Sequence, residues 1–142
     1  MRFGPLGKVL VATGEITFAA DKLVQTDTHA ALPPEEAPTV EFGRHLAGIC
    51  TGCHRANFEG GPFAGGPPDW VTPANITPHA DGLAGWTYED FSKTLRSGIT
   101  KSGAPVRLPM SVIIPYTVHM NETEMQALWA YMQTVPAVPD GT

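Results

Sequence analysis

Two cysteines, Cys50 and Cys53, stand three positions apart, and His54 directly follows the second. The chain has no other cysteine. Thiols at this spacing can each add to one of the two neighbouring vinyl groups of a haem, and the next histidine can offer a ring nitrogen to the iron. The motif therefore predicts a fold built around one covalently attached haem c, with Cys50 and Cys53 as attachment points and His54 as proximal iron ligand.

Two other interpretations of the cysteine pair stay open, a thiol redox pair and half of a zinc site. A redox pair of the thioredoxin kind needs a βαβ unit, and the glycine- and proline-rich residues after the motif do not supply one. A zinc site needs further ligands at short spacing, whereas the remaining histidines are scattered along the chain, as His29, His45, His79 and His119. We favour haem attachment over both.

The composition is that of one domain with a core. The chain has 142 residues, 42% of them apolar, and a buried haem would enlarge the core. Its 15 glycines and 14 prolines predict short helices joined by long, defined loops. The formal net charge of −5 argues against nucleic acid as a partner.

The sequence predicts no membrane-spanning helix, because it lacks an apolar stretch of about 18 residues. The first residues also lack the basic start and apolar segment of an export signal. Haem attachment by this motif takes place outside the cytoplasmic membrane. We therefore expect a processed or truncated chain in the periplasm or on the outer face of that membrane, where any membrane association runs through a missing anchor or a partner complex.

Residues 1–38 differ from the remainder. They contain a short apolar run at 8–12 and end in a polar, proline-rich stretch at 33–38, which is typical of an extended linker. We predict that 1–38 form an N-terminal extension and linker, which packs on the domain or on a neighbour, and that 39–142 form the haem domain.

The first helix of the haem domain is predicted to begin near Thr39, a good N-cap residue, and to run into the cysteine motif. Phe42, Leu46 and Ile49 share one face of it at helical spacing. Gly43 lowers helix propensity there. We favour a close helix–helix crossing at this glycine over a merely tolerated one, because a costly residue inside a short helix calls for a reason.

Two further helices are predicted, each with an acidic residue three positions after its N-cap. One begins at Thr87 and stops at Gly98, and the other begins at Asn121 and ends at Pro136. Prolines and glycines predict long loops at 55–85 and 99–120. The first loop can wrap one haem edge, and one of its carbonyls can accept the second ring N–H of the proximal histidine.

The sixth iron position separates an electron carrier from a ligand-binding protein or enzyme. The candidates to fill it are Met110, Met120, His119 and His79. We favour Met110, because its proline-stiffened loop can hold a thioether sulfur at a fixed place. Met120 precedes an N-cap, where an apolar residue often packs as a staple, and we expect His119 to be exposed. An open sixth position stays an alternative.

Residues 39–137 resemble class I cytochromes c, especially the monohaem domains that serve membrane-bound dehydrogenases and related respiratory chains. The resemblance implies an all-α, cytochrome c-like fold with three to four short helices and long Gly/Pro-rich loops around one covalently bound haem. It rests on residues 39–46 before the haem motif, on Asn75-Ile76-Thr77-Pro78 followed by Gly85-Trp86-Thr87, on 91–98 and on 128–132.

The resemblance also implies roles for single residues. It makes Met110 the distal ligand, places Asn75 and Trp86 at the propionate edge of the haem, and crosses the first helix with the last at Gly43. Relatives often set the ligand methionine in a Pro-x-Met-Pro segment nearer the last helix, whereas Ser111 follows the methionine here and the loop is longer.

The predicted function is that of a single-electron carrier with His/Met axial ligation of its iron. Its partners would be a donor dehydrogenase or quinol-oxidising complex and an acceptor oxidase or reaction centre, in transient contacts. We do not expect an enzyme, because the sequence supplies no substrate-activating base. The alternatives are a haem enzyme or gas-binding sensor with an open or displaceable sixth site, and a permanent cytochrome subunit of a larger oxidoreductase complex.

Overall fold

The computed structural model describes residues 4–15, 32–62, 67 and 69–141, and the chain divides into two compact units, Met1–Leu32 and Pro33–Thr142. The regular secondary structure of the described residues is helical, with one isolated β-bridge between Ile99 and Pro105. The helices are α1 (Pro5–Ala12), α2 (Val40–Ala47), α3 (Thr51–His54), α4 (Tyr88–Ser97), α5 (Ile114–Thr117) and α6 (Glu122–Met132), with 3₁₀ turns at Gly48–Cys50 and Met110–Val112. The all-α class expected from the sequence is confirmed.

The first unit contains α1, which includes the apolar run at 8–12. A proline lies in the first turn of this helix, where its missing N–H has no helical partner to lose. Leu6 and Val9 are exposed on it. Residues 16–31 lie outside the described ranges, so the prediction that 1–38 form a packed extension stays a prediction.

The predicted helix starts are confirmed. Thr39 caps α2 by accepting a hydrogen bond from the backbone N–H of Phe42. At α4 the Thr87 hydroxyl accepts from the N–H of Asp90, and the Asp90 carboxylate accepts from the N–H of Thr87. Both bonds form although aspartate replaces the usual glutamate or glutamine. The same reciprocal pair begins α6, and Gly98 ends α4 in the left-handed region at φ 69°.

The prediction of a loop over 99–120 is wrong for residues 110–112 and 114–117, which form the 3₁₀ turn and α5. Pro115 lies in the first turn of α5, a position that tolerates proline because the missing N–H would have no partner there. The hydroxyl of Thr117 donates to the carbonyl of Leu95 at 2.5 Å and ties this turn to α4. The described residues of 55–85 contain no helix and no strand, as predicted.

The last helix ends at Met132, before the predicted end at Pro136. The reason is local, because the hydroxyl and the N–H of Thr134 both donate to the carbonyl of Tyr131 and close the final turn.

The crossing predicted at Gly43 is present, between α2 and α6. A Cβ atom at Gly43 would lie 1.9 Å from the backbone oxygen of Ala127 and 2.8 Å from the Cβ of Tyr131. Such distances are possible only where a side chain is missing. The two helices therefore meet backbone to backbone, and this contact fixes α2 and the cysteine motif that follows it.

The core lies beneath this crossing. Helices α2, α4 and α6 all contribute to it, and loop 55–85 adds two side chains, so the loop is packed against the helices and not merely tethered at its ends. The buried residues of the core are Ala47, Phe58, Leu83, Phe91, Met125, Leu128, Met132 and Val135.

Candidate functional site

The two cysteines lie one helical turn apart, where the 3₁₀ turn passes into α3. Residues three apart on such a turn share a face, so both thiols can reach one flat partner. Neither thiol is in a disulfide, and Cys50 packs against the core. Burial, with a smaller contribution from Cys53, raises the pKa of the Cys50 thiol to about 11. The two sulfurs are thus adjacent and partly buried.

His54 ends α3, and loop 55–85 determines how its ring is oriented. Its Nδ1 lies 2.7 Å from the backbone oxygen of Ala74, which can only accept, so Nδ1 carries the proton and Nε2 keeps its lone pair. Burial lowers the pKa of the ring, and the bond to Ala74 opposes that effect. A neutral imidazole of this tautomer is a ready metal ligand. Ala74 supplies the carbonyl expected from this loop.

Gly60 allows the loop to bring that carbonyl to the histidine. Its φ is +67°, and a Cβ there would lie 2.5 Å from the carbonyl carbon of Ala74. Its N–H also donates to the backbone oxygen of His54 at 3.1 Å. The backbone at 60 therefore packs directly between the end of α3 and Ala74.

Met110 begins the 3₁₀ turn after a buried proline and is half-buried. Hydrogen bonds fix its segment on both sides. The carbonyl of Leu108 accepts from the N–H of Val71 at 2.9 Å, and the N–H of Ser111 donates to the carbonyl of Arg107 at 3.0 Å. Within the described chain, Met110 is not among the side chains that pack against the core. Its backbone segment is thus held in place, while its side chain is not part of the core.

Two of the other three candidates for the sixth position make contacts elsewhere. Met120 packs against the core, and its carbonyl accepts a hydrogen bond from Arg96 at 3.0 Å. His119 is exposed. The Nδ1 of His79 lies 3.2 Å from both the backbone nitrogen and a carboxylate oxygen of Asp81, in a tight turn. Met110 as the sixth ligand therefore stays a prediction.

Asn75 and Trp86 were assigned to a propionate edge by resemblance alone, and that assignment stays a prediction. Trp86 is half-buried against the core. Asn75 is 4% exposed, and its side chain bonds to Thr77 and to the carbonyl of Val138. Sequence reasoning missed both contacts. The bond to Thr77 has a sequence signal, an asparagine two residues before a threonine, which is the spacing of a side-chain-to-backbone turn. The bond to Val138 has no such signal.

The residues at this site fit a haem. Two neighbouring thiols, a neutral imidazole with an available Nε2 and a thioether outside the core are the donor set of such a group. Exposed apolar side chains lie within two residues of these donors in the chain and are suited to contact a porphyrin: Ile49 next to Cys50, and Leu108 and Val112 two residues from Met110.

No helix in the described ranges is long and apolar enough to cross a membrane.

Comparison with known proteins identifies the family of this chain. The family model described as Cytochrome c matches residues 40–136. The gluconate 2-dehydrogenase cytochrome c subunit of Pantoea cypripedii is 37% identical over 118 residues, 75% of this chain and 26% of that protein. The cytochrome c subunit of the quinone-dependent alcohol dehydrogenase of Gluconobacter oxydans is 34% identical over 65% of this chain and 20% of that protein.

A third relative, the fructose dehydrogenase cytochrome subunit of Gluconobacter japonicus, is 29% identical over 93% of this chain and 28% of its own length. The chain thus spans about a quarter of these relatives. The family match covers most of the haem domain, including the cysteine motif and Met110. The chain therefore belongs to the cytochrome c family: it has the all-α cytochrome c fold, carries covalently attached haem c with iron, and transfers electrons.

Proposed function

We propose that this chain is a single-electron carrier in which Cys50 and Cys53 form the thioether bonds to the haem, while His54 and Met110 hold the iron. The observation that carries the proposal is the 2.7 Å contact between Nδ1 of His54 and the oxygen of Ala74. It fixes the tautomer and the ring plane, and leaves Nε2 for the iron.

The haem, when bound, supplies an iron that gains and loses one electron. The role of the protein is to keep the accompanying structural change small. The α2–α6 crossing and α3 hold the two thiols and His54 as one unit. The backbone hydrogen bonds of Leu108 and Ser111 hold the segment that carries Met110. Fixed ligands on both sides lower the structural rearrangement that each electron transfer requires.

A thioether ligand stabilises the reduced iron and raises the reduction potential. Met110 supports such a role because it is held by its segment and lies outside the core. The protein acts on no substrate itself in this proposal, and it serves proteins that oxidise substrates.

The names of the relatives support a place beside a dehydrogenase, since all three are cytochrome subunits of dehydrogenases. We place the chain at the periplasmic side of the cytoplasmic membrane, where residues 39–142 carry the haem and 1–38 form an extension. It would take electrons from a dehydrogenase and pass them to an oxidase or another acceptor. A permanent cytochrome subunit of such a complex is the second candidate, since the chain matches parts of subunits.

Carbon monoxide titration of the reduced holoprotein at neutral pH tests this proposal against a gas-binding or enzymatic role. We expect no binding on the timescale of mixing, because the thioether already fills the sixth position, together with a reversible one-electron redox titration. Rapid binding of carbon monoxide to the wild-type protein would contradict His/Met ligation and favour an open sixth site.

A further inference from the structure

A buried polar pair connects the loop around the proximal histidine to the C-terminal residues. Asn75 and Thr77 are 4% and 0% exposed. The side-chain oxygen of Asn75 accepts from the backbone N–H of Thr77 at 2.8 Å and from its hydroxyl at 2.7 Å. The side-chain nitrogen of Asn75 donates to the carbonyl of Val138 at 2.8 Å, and the N–H of Val138 lies 3.4 Å from the Thr77 hydroxyl.

Asn75 directly follows Ala74, whose carbonyl orients the histidine. The carbonyl of Ala74 belongs to the same peptide plane as the N–H of Asn75, so the position of the Asn75 backbone limits where that carbonyl can point. On the other side, the backbone of Gly60 packs against Ala74. The next residue is held as well, because the N–H of Ile76 donates to the carbonyl of Phe58 at 2.9 Å.

A buried polar pair costs more to bury than an apolar pair of the same shape. An apolar pair could hold the C-terminal residues by packing alone. What the polar pair adds is direction, since a satisfied hydrogen-bond network specifies one arrangement of the backbone. The Ala74 carbonyl, which accepts the histidine proton, directly precedes this network in the chain.

We propose that Asn75 and Thr77, anchored on the carbonyl of Val138, are positioning residues that hold the Ala74 carbonyl on the proximal histidine and thereby set the reduction potential. This inference rests on the proposed ligation of iron by His54. A firm acceptor at Nδ1 increases electron donation by the imidazole and stabilises the oxidised iron. Loosening the pair therefore weakens that donation and raises the potential.

The test is Thr77→Val, which keeps the shape of the side chain and removes the hydroxyl, with Asn75→Ala as a second variant. Thr77→Ser keeps the hydroxyl and is the matched control. Asn121→Ala removes the cap of α6 and serves as a control for lost stability alone. The measurements are a redox titration of each holoprotein and the proton resonance of the His54 Nδ1–H in the reduced state.

We expect the ratio of reduced to oxidised Thr77→Val at a fixed ambient potential to rise about threefold, which is about 28 mV at 59 mV per tenfold. The Nδ1–H resonance should move upfield, since a weaker hydrogen bond deshields the proton less. Asn75→Ala should change both in the same direction. Thr77→Ser and Asn121→Ala should retain the wild-type potential and resonance.

Unchanged potential and resonance in Thr77→Val, with stability reduced, would overturn the inference and leave the pair as an anchor for the C-terminal residues only. If Asn75→Ala does not fold, Thr77→Val decides alone. A wild-type protein without imidazole ligation would overturn the proposed function, and the inference with it. If the wild-type iron is bound by the imidazole but the variants keep the wild-type potential and resonance, the inference alone would be overturned.

Discussion

Replacing Gly43 with alanine is expected to lower the free energy of unfolding by about 3 kcal/mol, the upper end of the usual cost of overpacking. The new Cβ would lie 1.9 Å from the backbone oxygen of Ala127 and 2.6 Å from its carbonyl carbon. Both are backbone atoms, which cannot rotate away as a side chain can. The two helices would have to separate, and α2 would carry the haem motif with it.

Gly48→Ala is the matched control for this prediction. Gly48 also has helical backbone angles, at φ −52° and ψ −35°, but a Cβ there would meet nothing within 4 Å. Because alanine restricts the unfolded chain more than glycine does, this variant should be neutral or more stable by about 0.5 kcal/mol. Urea denaturation of both holoproteins gives the comparison, and equal stabilities would show that the crossing does not need a glycine.

Met110→Ala is expected to lower the reduction potential by on the order of 100 mV, because axial ligands tune haem potentials over about 0.8 V. The thioether favours the reduced iron, and alanine offers no donor in its place. The variant should therefore also bind carbon monoxide rapidly and lose the weak far-red absorption band of sulfur-to-iron ligation in the oxidised state.

Met120→Leu is the control for the loss of a methionine as such. Met120 packs against the core, and leucine conserves its volume, so stability should change by less than about 1.5 kcal/mol and the spectrum not at all. If Met110→Ala kept the far-red band and the potential while Met120→Leu lost them, the sixth ligand would be Met120 and the assignment made here would be wrong.

Features determined by neighbouring residues could be predicted from the sequence. The caps at Thr39, Thr87 and Asn121 depend on side chains that bond three positions away, so residue type and spacing suffice to find them. The crossing at Gly43 could be predicted because a missing side chain inside a short helix has few explanations. The cysteine motif could be predicted because its chemistry needs one spacing.

Features that join distant backbone atoms could not be predicted. The loop that supplies the partner of the His54 ring could be predicted, but the residue could not, because a carbonyl is present at every residue and this one lies 20 residues away. The bond from Asn75 to the carbonyl of Val138 joins residues 63 apart and could not be predicted for the same reason. Pro115 suggested a loop because proline breaks helix interiors, whereas its place in the first turn of α5 depends on where tertiary contacts begin that helix.

The most direct test is the mass of the denatured wild-type protein after production together with a haem-attachment system. Denaturation releases a haem held only by its iron ligands, but not one held by bonds to Cys50 and Cys53. The predicted result is a single species with the mass of the polypeptide plus one haem and no thiol that reacts with alkylating reagents. A bare polypeptide with two reactive thiols would contradict haem attachment and the electron-transfer role that depends on it.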